Sequence, residues 1–231
     1  MMYVAPTHVI LRRHTDAIDD KDMAYLERAL QVQMRELAAA YKFDSPGVTY
    51  VTKDADIPTT EAVGIDFVDN DGLDGSVAHH GWMAGAGFPW SLVGVKEDAH
   101  WTLSASHEAC EYVMNLRLDR YAIGPEGWRW PMEVCDMVED GGYPIMVNRF
   151  EVPRSVMVSN FVLPSFWKLD GKWPYDYLGV LTEPFSVEAR GGYALVEKDG
   201  KLVQVGSSRR RQRQRARSRV QWLKDQTWPG R

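Results

Sequence analysis

Apolar positions along the first hundred residues alternate between two periods. The run Thr7-His8-Val9-Ile10-Leu11-Arg12, closed by the polar Thr15-Asp16, predicts a strand. From about Lys21 to Tyr41 the spacing changes. Met23, Leu26, Leu30, Met34, Leu37 and Tyr41 recur at helical intervals, with Asp19 or Asp20 placed to cap the start. Ser45-Pro46-Gly47 breaks that helix, and Val48 to Val51 reads as a second strand. Ala62 to Val68 predicts a third, followed by a turn over Asp69 to Gly75. Ser76 to Val95, rich in glycine and aromatic residues, predicts an edge strand and its return through Phe88-Pro89-Trp90.

The second main helix is expected over Thr102 to Leu118, and a shorter third over Pro131 to Glu139. Beyond Val156 short strands dominate: Val156 to Val158, Phe161 to Leu163, Tyr193 to Val196 and Leu202 to Val205. Lys198-Asp199-Gly200-Lys201 has the composition of a hairpin turn. No internal repeat is visible. The expected class is α/β (α+β), a sheet packed against two main helices with a β-rich C-terminal part. The expected division is one domain over residues 1–206 and a tail over 207–231.

Composition places the chain among ordinary globular proteins, at 45% hydrophobic and 26% charged residues. No apolar run reaches the roughly 20 residues of a membrane helix, and Met1 to Pro6 shows no secretory pattern. Cys110 and Cys135 are too few for a disulfide framework, which fits a reducing compartment and an expected cytoplasmic location. Charge is unevenly spread. Of the 27 Lys and Arg, nine lie in residues 209–231 against one acid, leaving a body with 18 bases and 31 acids. Arg209, Arg210, Arg211, Arg213 and Arg215 belong to a run suited to gripping nucleic-acid phosphates weakly and without sequence preference. Such a run is equally compatible with a solvated extension or with docking on the acidic body.

The chemistry concentrates in His107-Glu108-Ala109-Cys110-Glu111. At about 100° per residue, His107 and Glu111 project from nearly the same helix face, one turn apart. Imidazole nitrogen and carboxylate oxygen are both zinc donors, and this spacing lets them converge on one ion. Glu108 points about a quarter turn away. That is the general-base position of the His-Glu-x-x-His metallopeptidases, although here Glu111 stands in place of the second His. Glu133 and Asp136 are the candidates for a third ligand. The layout resembles the gluzincins, in which a downstream helix supplies a Glu ligand and a nearby Asp holds the metal-binding His. That resemblance assigns Glu133 to the metal and Asp136 to His107, with the reverse assignment open. His79 and His80, on the expected edge strand, are candidates for an extra imidazole or for substrate contact.

Several segments together resemble small metallopeptidases encoded in tailed phages and prophages. They are His80-Gly81, Gly87-Phe88-Pro89, Trp101 to Glu111, Glu133 to Glu139, Val158 to Trp167, Tyr177-Leu178-Gly179, Pro184-Phe185, Gly191-Gly192-Tyr193 and the arginine-rich end. Coverage is roughly residues 78–220, and the specific parts are the Ser-His-Glu helix and Ser159-Asn160-Phe161-Val162-Leu163-Pro164. One departure stands out: family members carry Asp-Pro shortly after the second Glu, where this chain has Asn115-Leu116.

The resemblance implies a zincin-like fold and a single zinc ion. It implies hydrolysis of a protein or peptide substrate by metal-activated water, with Glu108 as general base. The competing expectation is an inactive zincin-fold structural or assembly protein of a phage particle, partnered by other phage structural proteins. The bacterial cytoplasm or the virion is the expected location.

Overall fold

In the computed structural model, the described residues are 6–51, 62–70, 78–82, 89–96, 98–117, 119–148, 150 and 152–206. The chain opens with β1 (His8–Arg13), α1 (Asp20–Tyr41) and β2 (Gly47–Val51), then β3 (Ala62–Val68), β4 (Ala78–Trp82), β5 (Pro89–Gly94) and α2 (Trp101–Asn115). These strands form one five-stranded sheet in the order β2-β1-β3-β5-β4. β1 runs parallel to β2 and β3, and β3 parallel to β5, while β4 alone is antiparallel. The central β3 is buried from Ala62 through Phe67, the continuous apolar pattern of a strand covered on both faces. Buried within it, Asp66 is matched by a two-pronged pair with Arg12 at 2.7 and 2.8 Å.

α1 starts where Asp19 accepts from the Asp22 N–H at 2.7 Å and the Asp22 carboxylate accepts from the Asp19 N–H at 3.1 Å. Met23, Leu26, Leu30, Met34 and Leu37 on its apolar stripe are all fully buried. Its polar positions tie it to the C-terminal half. The Gln33 amide donates to the Ser159 carbonyl at 2.8 Å, and the Tyr41 hydroxyl to the Val162 carbonyl at 2.8 Å.

After α2 come β6 (Tyr121–Ile123), β7 (Arg129–Pro131), β8 (Gly142–Val147), β9 (Arg154–Ser159), β10 (Tyr193–Lys198) and β11 (Lys201–Gly206). They make a four-stranded sheet, β11-β10-β7-β6, and a β8-β9 hairpin. β9 packs against α2 and α1, and β8 against α1, so both helices lie between the five-stranded sheet and the hairpin. One hydrophobic core runs through all of these layers.

The mixed α/β architecture with two main helices is as expected, and four local expectations are corrected. The third helix over Pro131 to Glu139 does not form. Pro131 closes β7, the Met132 N–H donates to the Arg120 carbonyl at 3.0 Å, and only Asp136–Val138 make a single 3₁₀ turn. Phe161 to Leu163 is not a strand but pairs irregularly with residues 175–177, through one bridge from Val162 to Asp176. The second helix ends at Asn115, short of Leu118, which lies outside the described residues. β8 was not expected, because Pro144 interrupts its pattern. As one half of a two-stranded hairpin it tolerates the missing N–H.

The Asp199-Gly200 turn forms as read. Lys198 pairs with Lys201, and both turn residues have positive φ, 52° and 72°. Cys110 and Cys135 are buried and not joined to each other. No helix among the described residues is long and apolar enough to cross a membrane. Arg209 to Arg219 and the rest of the tail lie outside the described residues, as do residues 71–75 of the expected Asp-rich turn.

Candidate metal centre

α2 is an interior helix, buried without interruption from Ala105 to Asn115. Its N-terminus is organised by Asp98, whose carboxylate accepts from the His100 N–H at 2.8 Å and from the Ser104 hydroxyl at 2.5 Å. One turn on, the Ser106 hydroxyl donates to the Leu103 carbonyl and accepts from the Ser159 N–H at 2.6 Å, locking α2 to β9. With the helix so held, His107, Glu111 and Asn115 follow at four-residue steps along one face.

The facing wall is the segment from Met132 to Val138. Its carbonyls are used up by neighbours: Val134 accepts from the Val162 N–H at 2.8 Å, and Met137 from the Glu188 N–H at 2.8 Å. Gly192 lies so close that a Cβ there would sit 2.1 Å from the Met137 carbonyl oxygen, so only glycine fits. These contacts press the 3₁₀ turn, and Asp136 with it, onto α2.

His107 Nε2 stands 3.2 Å from Glu111 Oε1 and 3.3 Å from Asp136 Oδ1. The three donor atoms lie within 4.8 Å of one another, and this is the one such donor group among the described residues. The cluster is deep: Glu111 is fully buried, and His107 keeps 11% of its side chain exposed. Both carboxylates approach the same imidazole nitrogen. A carboxylate that merely oriented the ring from behind an ion would sit on the other nitrogen, Nδ1.

The donor set fits a small dication. Nitrogen and oxygen ligands about 2.0–2.2 Å from a tetrahedral zinc stand roughly 3.3–3.6 Å apart. The two measured separations are close to that. Without an ion, the same geometry is that of a proton-bearing imidazole held by two carboxylates.

Electrostatics favour a positive charge here. Burial by itself would push the His107 pKa down, but the charge of Glu111 and the hydrogen bonds to Asp136 and Glu111 outweigh it and hold it well above the ordinary value. Burial, then the nearby charge of Asp136, pushes the Glu111 carboxyl up to about 7, with His107 opposing and Glu133 adding to the rise. The metal-free cluster therefore carries protons near neutrality that a dication must displace. Zinc affinity is expected to tighten as pH rises from 6 to 8, by about tenfold per pH unit for each proton released. Competition with a chromophoric chelator across that range measures it, and a flat profile would contradict this view of the cluster.

The remaining sequence candidates divide. Glu133, 4% exposed, lies outside the three-donor group; its Oε1 accepts from Asn115 Nδ2 at 2.8 Å. Glu108 is also 4% exposed and lies outside the group. His79 and His80 lie on the antiparallel edge strand β4, paired with Leu92 and Ser91, and β4 packs against α2. Their side chains are outside the described residues. Asn115 stands out in the sequence as a departure from the family pattern but not as a site residue, although the stripe His107, Glu111, Asn115 at four-residue steps is a signal for it. Comparison of the chain with models of protein families, with curated proteins and with solved structures gave no match.

Proposed function

We propose that this chain is a metal-dependent hydrolase of the zincin type, a metallopeptidase of the phage-encoded kind that the sequence resembles. The observation that carries the reading is the convergence of Glu111 and Asp136 on His107 Nε2, at 3.2 and 3.3 Å, inside a rigid helix–turn frame. The sheet supports it, since the motif helix packs against an antiparallel edge strand, the arrangement that lines zincin clefts. In this reading His107, Glu111 and Asp136 hold one zinc ion. Glu133, held by Asn115, stands close enough to Glu111 to influence its charge.

A zinc ion in this site would supply Lewis acidity, polarising a peptide carbonyl and making water a stronger nucleophile. The chain's own part is the proton chemistry and the frame. Glu108, a quarter turn from the ligand face, takes a proton from the attacking water and delivers it to the leaving amine. His79 and His80, on the edge strand β4, are the candidates for substrate contact. Assay of the zinc-loaded protein on a denatured-protein or mixed-peptide substrate tests this directly. Cleavage that is abolished by chelator and restored by zinc is expected.

The depth of the cluster favours a second reading. A catalytic ion needs an open coordination position, whereas a structural ion is enclosed by protein. With Glu111 fully buried, the same donors suit an ion that clamps α2 to the 3₁₀ turn in an inactive structural or assembly protein of a phage particle. Bound zinc with no hydrolysis of any substrate is the result that would favour it.

A further inference from the structure

β11 is the last strand of the four-stranded sheet, and among the described residues it pairs with β10 alone. Its two-residue turn fixes which backbone groups that pairing uses. Lys198 and Lys201 close the turn as a bonded pair, so Val203 and Val205 also aim their N–H and C=O groups at β10. Leu202, Gln204 and Gly206 aim theirs outward, at the open edge. The apolar surface runs out at the same place. β10 turns Ala194 and Val196, each 1% exposed, to the core, and their partners Val205 and Val203 continue that face. Val203 is nevertheless 42% exposed, because the sheet stops there, and Leu202 on the opposite face is 45% exposed. Edge strands are ordinarily blunted by proline, a bulge or inward-pointing charge. β11 has an unbroken register and one charged residue, Lys201 at its start.

We propose that β11 is the surface on which a second copy of this chain docks, strand against strand and antiparallel, with Gln204 on the twofold axis. That register is self-complementary. It bonds Gln204 to its own copy through both outward groups, and sets Val203 against Val205 of the second copy on the core face. On the other face Leu202 lies opposite a glycine, Gly206 of the second copy, which leaves it room. Two four-stranded sheets become one, and the exposed core face of each is continued by the other. Charge decides the direction. The basic run from Arg209 to Arg219 begins three residues beyond Gly206. Antiparallel pairing about Gln204 places the two Gly206 positions about 14 Å apart, beyond the screening length of roughly 8 Å at physiological salt. Parallel pairing in register would start both basic runs about 4.8 Å apart. The proposal does not depend on the metal centre.

The test is sedimentation of the full chain over a dilution series, together with hydrogen exchange at the Leu202 and Gln204 amides. Gln204→Pro removes an outward N–H that β10 does not use, so the chain's own sheet keeps its bonds. Val203→Lys is the second variant, and it leaves the backbone bonds alone while placing a charge where the two core faces meet. Circular dichroism checks that both variants are folded.

The wild-type chain is expected to sediment at twice its monomer mass when concentrated, with Leu202 and Gln204 amide protection that fades as it dissociates on dilution. Each variant is expected to associate about 10- to 100-fold more weakly, since Gln204→Pro alone deletes two bonds across the axis. A wild-type chain that stays monomeric at every concentration would overturn the proposal, and protected Leu202 and Gln204 amides in that monomer would show that the chain covers its own edge. A dimer that both variants form as tightly as the wild type, or one in which those two amides exchange freely, would overturn it as well.

Discussion

Glu111→Ala is expected to remove the protein's ability to hold zinc. Glu111 supplies one of three converging donors, and it is itself fully buried on a helix whose residues from Ala105 to Asn115 are all buried. Removing a direct ligand should cost more than the 10- to 100-fold that removing an outer partner costs, so the loss should exceed about 100-fold. The effect on the metal-free protein should be much smaller. Burial there, and then the nearby charge of Asp136, raises the Glu111 carboxyl to about 7. Truncation relieves that repulsion even as it takes a partner from His107. The contrast is readable by calorimetry. Zinc at 100 times its Kd should stabilise the wild-type fold by about 2.7 kcal/mol and the variant hardly at all. An equal zinc-induced rise in melting temperature in both proteins would place the ion elsewhere.

Glu108→Gln should do the opposite, sparing the metal and stopping the chemistry. Glu108 lies outside the His107–Glu111–Asp136 group, and glutamine preserves its size and hydrogen-bonding capacity while removing the base. General-base catalysis contributes about 10²- to 10⁴-fold, and hydrolysis should fall by that amount with zinc content and melting unchanged. Loss of zinc from this variant would make Glu108 a ligand and undo the division of roles. Full activity with zinc retained would mean that the proton is carried by another group.

Much of the frame that makes these expectations possible was legible from residue pattern. Ala62 to Val68 is a strand over the expected span, because its unbroken apolar run is what a strand covered on both faces requires. α1 follows its helical stripe to within one residue at the start. The His107–Glu111 pair was legible because helical spacing alone brings the two side chains together.

The opposite wall was not legible in the same way. Val134, Met137 and Val138 are buried at helix-like intervals, yet the segment is a turn. What decides this is long-range: the pairing of Pro131 with Tyr121, the Val162 N–H on the Val134 carbonyl, and the press of Gly192 on Met137. None of these has a local sequence signature.

The choice between Glu133 and Asp136 was left open for the same reason. On a helix, acids three apart would share a face. In the turn that actually forms, Asp136 meets His107 and Glu133 meets Asn115.

The most direct test is the metal content of the full chain, purified without chelator and measured by elemental mass spectrometry before and after zinc is added back. The expected result is close to one zinc per chain. Protein that holds no zinc, even after reconstitution, would contradict the central claim and leave His107, Glu111 and Asp136 as a buried imidazolium held by two carboxylates.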